Sequence, residues 1–201
     1  SMIYTSGSTA TPKGVVVTHT AIASLSAHLV RAIGLGAGSR TLHFTSPSFD
    51  ASVLDYLMAF GASATMIIAP TDNYGGAELK QLLREQRVTH AFATPAALAS
   101  IDGGGLDDLQ ALVVGGEAFG ADLIARWAPG RAVFNAYGPT EATIVSTLSA
   151  PIGVGETPTI GSPVDGTKAY VLDSRLSVVP PGVAGELYIA GSGIARGYHG
   201  R

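Results

Sequence analysis

The chain has 201 residues, a formal net charge of −3 and 13% charged residues, about half the usual share, with a mean hydropathy of +0.32. So lean a surface suits part of a larger body whose other segments cover apolar faces, and without any basic run it argues against nucleic-acid and anionic-membrane partners. The absence of cysteine removes disulfides and thiolate metal sites, the five histidines (His19, His28, His43, His90, His199) have no ligand spacing, and no apolar run reaches the ~18 residues of a membrane span, so a cytoplasmic location is expected.

The chain opens with a short apolar strand, Met2-Ile3-Tyr4, and a second follows at Val15-Val16-Val17. Between them seven of the ten residues from Thr5 to Gly14 are Gly, Ser or Thr, with the single cation Lys13. Glycines let backbone N–H groups approach closely, hydroxyls donate and the lysine neutralises charge, so the loop suits phosphate oxygens; a plain solvated hairpin is the alternative. It is not a Walker loop, because counting from Gly7 brings Lys13 followed by Gly14 instead of the required Ser or Thr, and β-branched valines follow where a helix should start.

Thr18 is placed to cap a helix with Ile22, Leu25, Leu29 and Ile33 on one face, stopped by Gly34 and Gly36. The spacing then predicts a strand over 41–45, a turn at Ser46-Pro47-Ser48-Phe49-Asp50, a helix from Ala51 to Phe60 and a buried strand over 64–69 carrying Met66, Ile67 and Ile68. Leu79, Leu82 and Leu83 mark the next helix, with Lys80, Arg84 and Glu85 on its wet side. Strand 88–94, helix 95–101, strand 112–115, helix 121–127 and strand 132–136 continue the alternation. The fold class is therefore α/β, a parallel sheet sandwiched by helices with sites beyond the strands' carboxyl ends. From Thr143 onward helices cease and short strands near 144–148, 168–172 and 185–189 alternate with Gly/Pro turns, predicting a core over 1–150 and a β-rich segment over 151–201.

Asn135-Ala136-Tyr137-Gly138-Pro139-Thr140-Glu141 stands at a strand end, where a parallel sheet has its ligand crevice. An aromatic there can stack on a base, a glycine permits close approach and an acid can hold Mg²⁺; an ordinary helix-starting turn is the alternative. Gly115-Gly116-Glu117 ends another strand, with a helix-entry turn as its alternative. The stretch from Gly185 to Tyr198 reads as scaffold, and its Gly-x-Gly is no dinucleotide site because no helix pattern follows.

The stretch from Tyr4 to His19 resembles the phosphate loop of adenylate-forming enzymes, which include the adenylation domains of nonribosomal peptide synthetases, acyl-CoA synthetases and luciferases; Ala10 departs from the family's usual glycine. Tyr137 to Glu141 resembles the same family's adenine-and-acid motif, and 185–198 its later structural motif. The resemblance implies that Thr5, Ser6, Gly7, Ser8, Thr9, Lys13 and Gly14 bind the ATP phosphates and that Gly115, Gly116 and Glu117 lie along the base. It further implies that Asn135, Ala136 and Gly138 border adenine, that Tyr137 stacks on it, that Thr140 contacts the α-phosphate and that Glu141 binds magnesium. Thr140, Glu141 and Lys13 would be catalytic, and ATP and Mg²⁺ the cofactors. Only the middle of the family's enzyme is covered: the ribose-binding aspartate and the lid with its catalytic lysine are not in the chain, so it is expected to be a trimmed piece, inactive alone.

Asp50, after Ser48-Phe49 and before Ala51-Ser52-Val53, resembles the carboxylate that pairs with the substrate α-ammonium in amino-acid-activating members, and as an N-cap it would serve the helix instead or as well. By the same resemblance the pocket falls on Asp50, Ala51, Leu54, Phe92, Val113, Gly115, Ala136, Ile144 and Val145. Beyond Asp50 none of these offers a polar side-chain atom, which implies an apolar amino acid, a branched aliphatic before an aromatic. The plain alternative is that these positions are the sheet's core. The implied acceptor is the phosphopantetheine thiol of a carrier protein. Two other readings stay open: an acyl- or aryl-CoA synthetase fragment, and a substrate-recognition subdomain without turnover.

Overall fold

In the computed structural model, which describes residues 1–6, 12–71 and 75–200, an antiparallel hairpin precedes the helix-and-strand alternation. The hairpin is β1 (Met2–Ser6) and β2 (Pro12–Val16). Next come α1 (Ile22–Ala32), β3 (Arg40–His43), α2 (Ala51–Phe60), β4 (Thr65–Ile68), α3 (Gly76–Glu85), β5 (His90–Ala93) and α4 (Pro95–Ala99). After them stand β6 (Ala111–Gly115), α5 (Ala121–Trp127), β7 (Ala132–Tyr137) and a 3-10 turn at Thr140–Ala142. The remaining strands are β8 (Thr147–Leu148), β9 (Ser162–Pro163), β10 (Thr167–Leu172), β11 (Glu186–Gly191) and β12 (Gly197–Tyr198).

The main sheet has seven strands in the order β4-β3-β5-β6-β7-β8-β9. Its first five strands are parallel, as the alternation predicts, but β7–β8 and β8–β9 pair antiparallel, so the sheet is mixed. The cause is local: a parallel return needs a crossover of a dozen or more residues, and the short link from Tyr137 to Thr147 allows only a reversal.

Side chains of the central strands alternate between two cores, the signature of a sheet covered on both faces. Ala91 and Ala93 of β5, Leu112 and Val114 of β6 and Val133 of β7 pack with Leu79, Leu83, Leu98, Ile124 and Trp127 from α3, α4 and α5. Phe92, Val113, Phe134 and Ala136, one residue out of phase, pack with Leu25 and Leu29 of α1 and Leu54 and Met58 of α2. Helices therefore sandwich the sheet.

Two local expectations are corrected. Thr18 does not cap α1: the helix begins after Ala21 without a side-chain cap, and Thr18 Oγ1 instead donates to Thr20 Oγ1. The strand carrying Met66, Ile67 and Ile68 is not buried, since it is the sheet's edge and Ile68 is exposed. The scaffold stretch ends in β12, which pairs with β2 and joins the chain's end to its opening hairpin. Strand pairing also continues past residue 150, where Leu148 faces Ser162 and Val164 enters the core shared by α1 and α2.

Candidate active site

The hairpin brings Thr5 opposite Lys13 and Ser6 opposite Pro12. Gly7, Ser8, Thr9 and Ala10 lie outside the described residues. β12 runs along the other side of β2, with the His199 amide donating to the Gly14 carbonyl at 2.7 Å and the Arg196 amide to that of Val16 at 2.9 Å. This alignment sets the Tyr198 ring beneath Lys13, whose Nζ lies 5.4 Å from the ring centroid.

β7 delivers the second part. Tyr137, 40% exposed, ends the strand, and Gly138 follows where a Cβ would sit 2.4 Å from the Ile144 carbonyl oxygen. Only glycine lets the returning chain come so close. Thr140 and Glu141 are then presented on the 3-10 turn, and the chain leaves through two left-handed residues, Thr143 (φ 59°) and Ile144 (φ 68°). Such conformations are uncommon outside glycine, so something must hold them. Thr143 is buried and donates its hydroxyl to the Gly193 carbonyl, and the Ala195 amide donates to the Glu141 carbonyl at 2.8 Å. Tyr198 completes the junction by donating its hydroxyl to Glu141 Oε1 at 2.8 Å. Sequence reading took this stretch as scaffold; it is that, and it also carries a side chain into the site.

Gly115 ends β6 beside β7, where a Cβ would meet the Ala136 carbonyl oxygen at 2.6 Å and Phe92 Cε2 at 3.2 Å. Gly116 turns the chain at φ 89° and leaves Glu117 exposed. Asn135 is held by its side-chain amide, which donates to the Thr159 carbonyl at 3.0 Å. Two of the motif segments thus stand at the carboxyl ends of the adjacent parallel strands β6 and β7, and the hairpin, part of a separate antiparallel sheet, joins them through Tyr198.

Asp50 stands at the head of α2 without making a side-chain cap, so its carboxylate is not spent on the helix. It is half-buried and lines a narrow crevice with Val53, Thr140, Thr143 and Ile144. Of these, Val53 and Thr143 were not singled out in the sequence. Leu54, Phe92, Val113, Ala136 and Val145 are buried together in one cluster, with Ala51 and Ile144 packed against it and Gly115 at its margin. The structure therefore groups these positions, in a way that suits both a pocket wall and a closed core.

One charged group passed over in the sequence is Asp55, fully buried on the inner side of α2. Its Oδ2 accepts from the Phe44 amide at 3.2 Å and the Thr45 amide at 3.1 Å, and lies 3.1 Å from His43 Nδ1. Burial pushes its carboxyl up to about 6, against the downward pull of the Thr45 and Phe44 amides and of His43. This contact pins the end of β3 to the helix that carries Asp50. Its trace in the sequence is a carboxylate on the face defined by Ala51, Leu54 and Met58.

No group of three or more His, Cys, Asp or Glu side chains stands close enough to hold a metal among the described residues, and no helix among them is long and apolar enough to cross a membrane. A lone carboxylate such as Glu141, with one oxygen occupied by Tyr198, suits Mg²⁺, which keeps waters and takes most other ligands from substrate phosphates.

The family model described as AMP-binding enzyme matches residues 1–199. A linear gramicidin synthase polypeptide of Brevibacillus parabrevis is 47% identical over 201 residues, covering 100% of this chain and 4% of that one. Among solved structures, the Klebsiella oxytoca NpsA N-terminal subdomain in complex with 3-hydroxybenzoyl-AMSN superposes with a TM-score of 0.87 at 28% identity, over 98% of this chain and 53% of that one. Holo-PA1221, an NRPS protein containing adenylation and PCP domains bound to a vinylsulfonamide inhibitor, gives 0.87 at 25% identity, over 100% of this chain and 36% of its own. The chain spans between 2% and 33% of the length of three curated relatives that it matches. It belongs to the AMP-binding enzyme family, as part of an adenylation domain of the nonribosomal peptide synthetase type.

Proposed function

We propose that this chain is the central part of an enzyme that activates an amino acid with ATP, giving aminoacyl-AMP and pyrophosphate and passing the acyl group to a carrier-protein thiol. The observation that carries the reading is the meeting of an uncapped Asp50 with Thr140 in one crevice, beside Glu141 and Lys13 gathered at Tyr198. Asp50 pairs with the substrate α-ammonium, which orients the carboxylate toward Thr140 and the α-phosphate. That carboxylate attacks the α-phosphorus and pyrophosphate leaves, so the nucleophile is the substrate's own. Lys13 and the phosphate loop neutralise the phosphates, and Tyr137 stacks on the base beside Gly115 and Gly138. Magnesium, when held by Glu141 and the phosphates, supplies charge neutralisation of the leaving group.

The relatives support the substrate class: one is a gramicidin synthase and one contains adenylation and PCP domains. The uniformly apolar set of Leu54, Phe92, Val113, Ala136 and Val145 supports an apolar amino acid, with leucine, isoleucine or valine first. The test is amino-acid-dependent pyrophosphate exchange by the full enzyme containing this segment, profiled over all amino acids and simple carboxylic acids. Exchange with branched aliphatic amino acids is expected, falling about a hundredfold in kcat/KM for Asp50→Asn. Preference for charged amino acids would overturn the pocket reading, and equal exchange with acids lacking an amino group would overturn the role of Asp50.

A further inference from the structure

Lys13 and Glu141 carry opposite charges, come from distant parts of the chain and meet at one side chain. Left in contact, they would pair and cancel the two charges that phosphate and metal require; no ion pair joins them among the described residues. Tyr198 engages both, the ring face toward the ammonium and the hydroxyl donating to Oε1 of the carboxylate, which leaves Oε2 for another ligand. Its backbone is fixed independently, since Tyr198 pairs with Val15 in the β12–β2 ladder and the nearby Ala195 amide binds the Glu141 carbonyl. A neutral aromatic spacer with one donor satisfies both charges without neutralising either.

We infer that Tyr198 is a positioning residue that holds Glu141 and Lys13 apart and aimed at the same metal–phosphate group. This rests on the roles proposed above for Glu141 and Lys13. The probe is Mn²⁺, titrated by paramagnetic resonance into the protein with a non-hydrolysable ATP analogue, alongside thermal melts. Tyr198→Phe keeps the ring and loses the donor: Mn²⁺ affinity is expected to fall about tenfold at an unchanged melting temperature, as for other groups that orient a metal ligand. Tyr198→Leu also loses the ring and is expected to weaken binding of the analogue in the absence of metal, which Tyr198→Phe does not. Mn²⁺ affinity within twofold of the parent in Tyr198→Phe would overturn the inference, as would a loss that tracks the melting temperature. Glu141→Gln separates the two levels: if it too leaves Mn²⁺ binding unchanged, the metal role of Glu141 falls and the tether with it, whereas a loss in Glu141→Gln alone removes only the tether.

Discussion

Gly138→Ala tests whether the turn that presents Thr140 and Glu141 depends on the absence of one methyl group. A Cβ at this position would lie 2.4 Å from the Ile144 carbonyl oxygen, 2.7 Å from the Ser146 amide nitrogen and 2.9 Å from the Ile144 carbonyl carbon, all backbone atoms. No rotamer can relieve such contacts, so the β7–β8 link must open by about 1 Å before ordinary packing distances are reached. Opening stretches the 2.8 Å hydrogen bond from the Ser146 amide to the Tyr137 carbonyl and displaces Ile144 from its left-handed conformation. Overpacking costs about 1–3 kcal/mol and one weakened backbone hydrogen bond about 1 kcal/mol more, together about 2–4 kcal/mol. For a chain of this size that lowers the melting temperature by about 5–15 °C.

Gly120→Ala is the matched control, because Gly120 has nothing within 4 Å of an added Cβ and an extended backbone at φ −106°. Gly120 is the N-cap of α5, where alanine is a poorer residue, so the variant's melting temperature is expected to fall by no more than about 2–4 °C. Calorimetric melts of the two variants decide the matter. A Gly138→Ala protein that melts within about 2 °C of the parent, or a Gly120→Ala protein that loses as much as Gly138→Ala, would refute the close-approach reasoning.

Asp55 gives a pH-dependent prediction. Its folded-state carboxyl is raised from 3.8 to about 6, so the native state holds the proton more tightly; stability from this group is fully present below about 4, declines as pH rises toward 6 and is flat above. Asp55→Asn removes that dependence together with the contact to His43 at 3.1 Å, and the parent-minus-variant stability from urea melts is expected to fall by about 2 kcal/mol between pH 4 and pH 7; a constant difference would refute it. His90, whose burial pulls it below its usual range, loses stability in the opposite direction as pH falls, and it cancels in that difference. Leu54→Ala is expected to cost about 2–4 kcal/mol, because Leu54 is fully buried, and to shift exchange toward bulkier amino acids; a stability loss with unchanged preference would make Leu54 core alone.

Where structure follows from local signals, the sequence is a sufficient guide. Helices α2 and α5 begin and end where the turn residues before them and the apolar spacing inside them predict. Other features depend on what lies alongside. Met66-Ile67-Ile68 reads as a buried strand by composition, yet its exposure is set by the missing neighbour at the sheet's edge. Gly197–Tyr198 is a strand only because β2 offers it an open edge, which no periodicity over two residues can announce. The antiparallel return of β8 rests on Thr143 and Ile144 at positive φ, conformations for which their residue types give no signal.

The same division runs through the site. Asp50, Thr140 and Glu141 are recognisable because the roles proposed for them demand a given chemistry at a given place, whereas the groups that hold them there are chosen by distance in space. Tyr198 reaches Glu141 across 57 positions, and its own stretch looks like ordinary strand and turn. Asp55 is the sharper case, since a carboxylate facing the core looks like an error of pattern. Its reason lies in another element: where β3 ends, the Phe44 and Thr45 amides need an acceptor, and an unpaired buried amide costs about 1–3 kcal/mol. One carboxylate oxygen takes both amides and faces His43, fastening the strand end to α2 one turn below Asp50. The helix that carries Asp50, the carboxylate proposed above for the ammonium, is therefore fixed to the sheet by a second carboxylate, and the cost of burying that second charge is what its raised pKa of about 6 records.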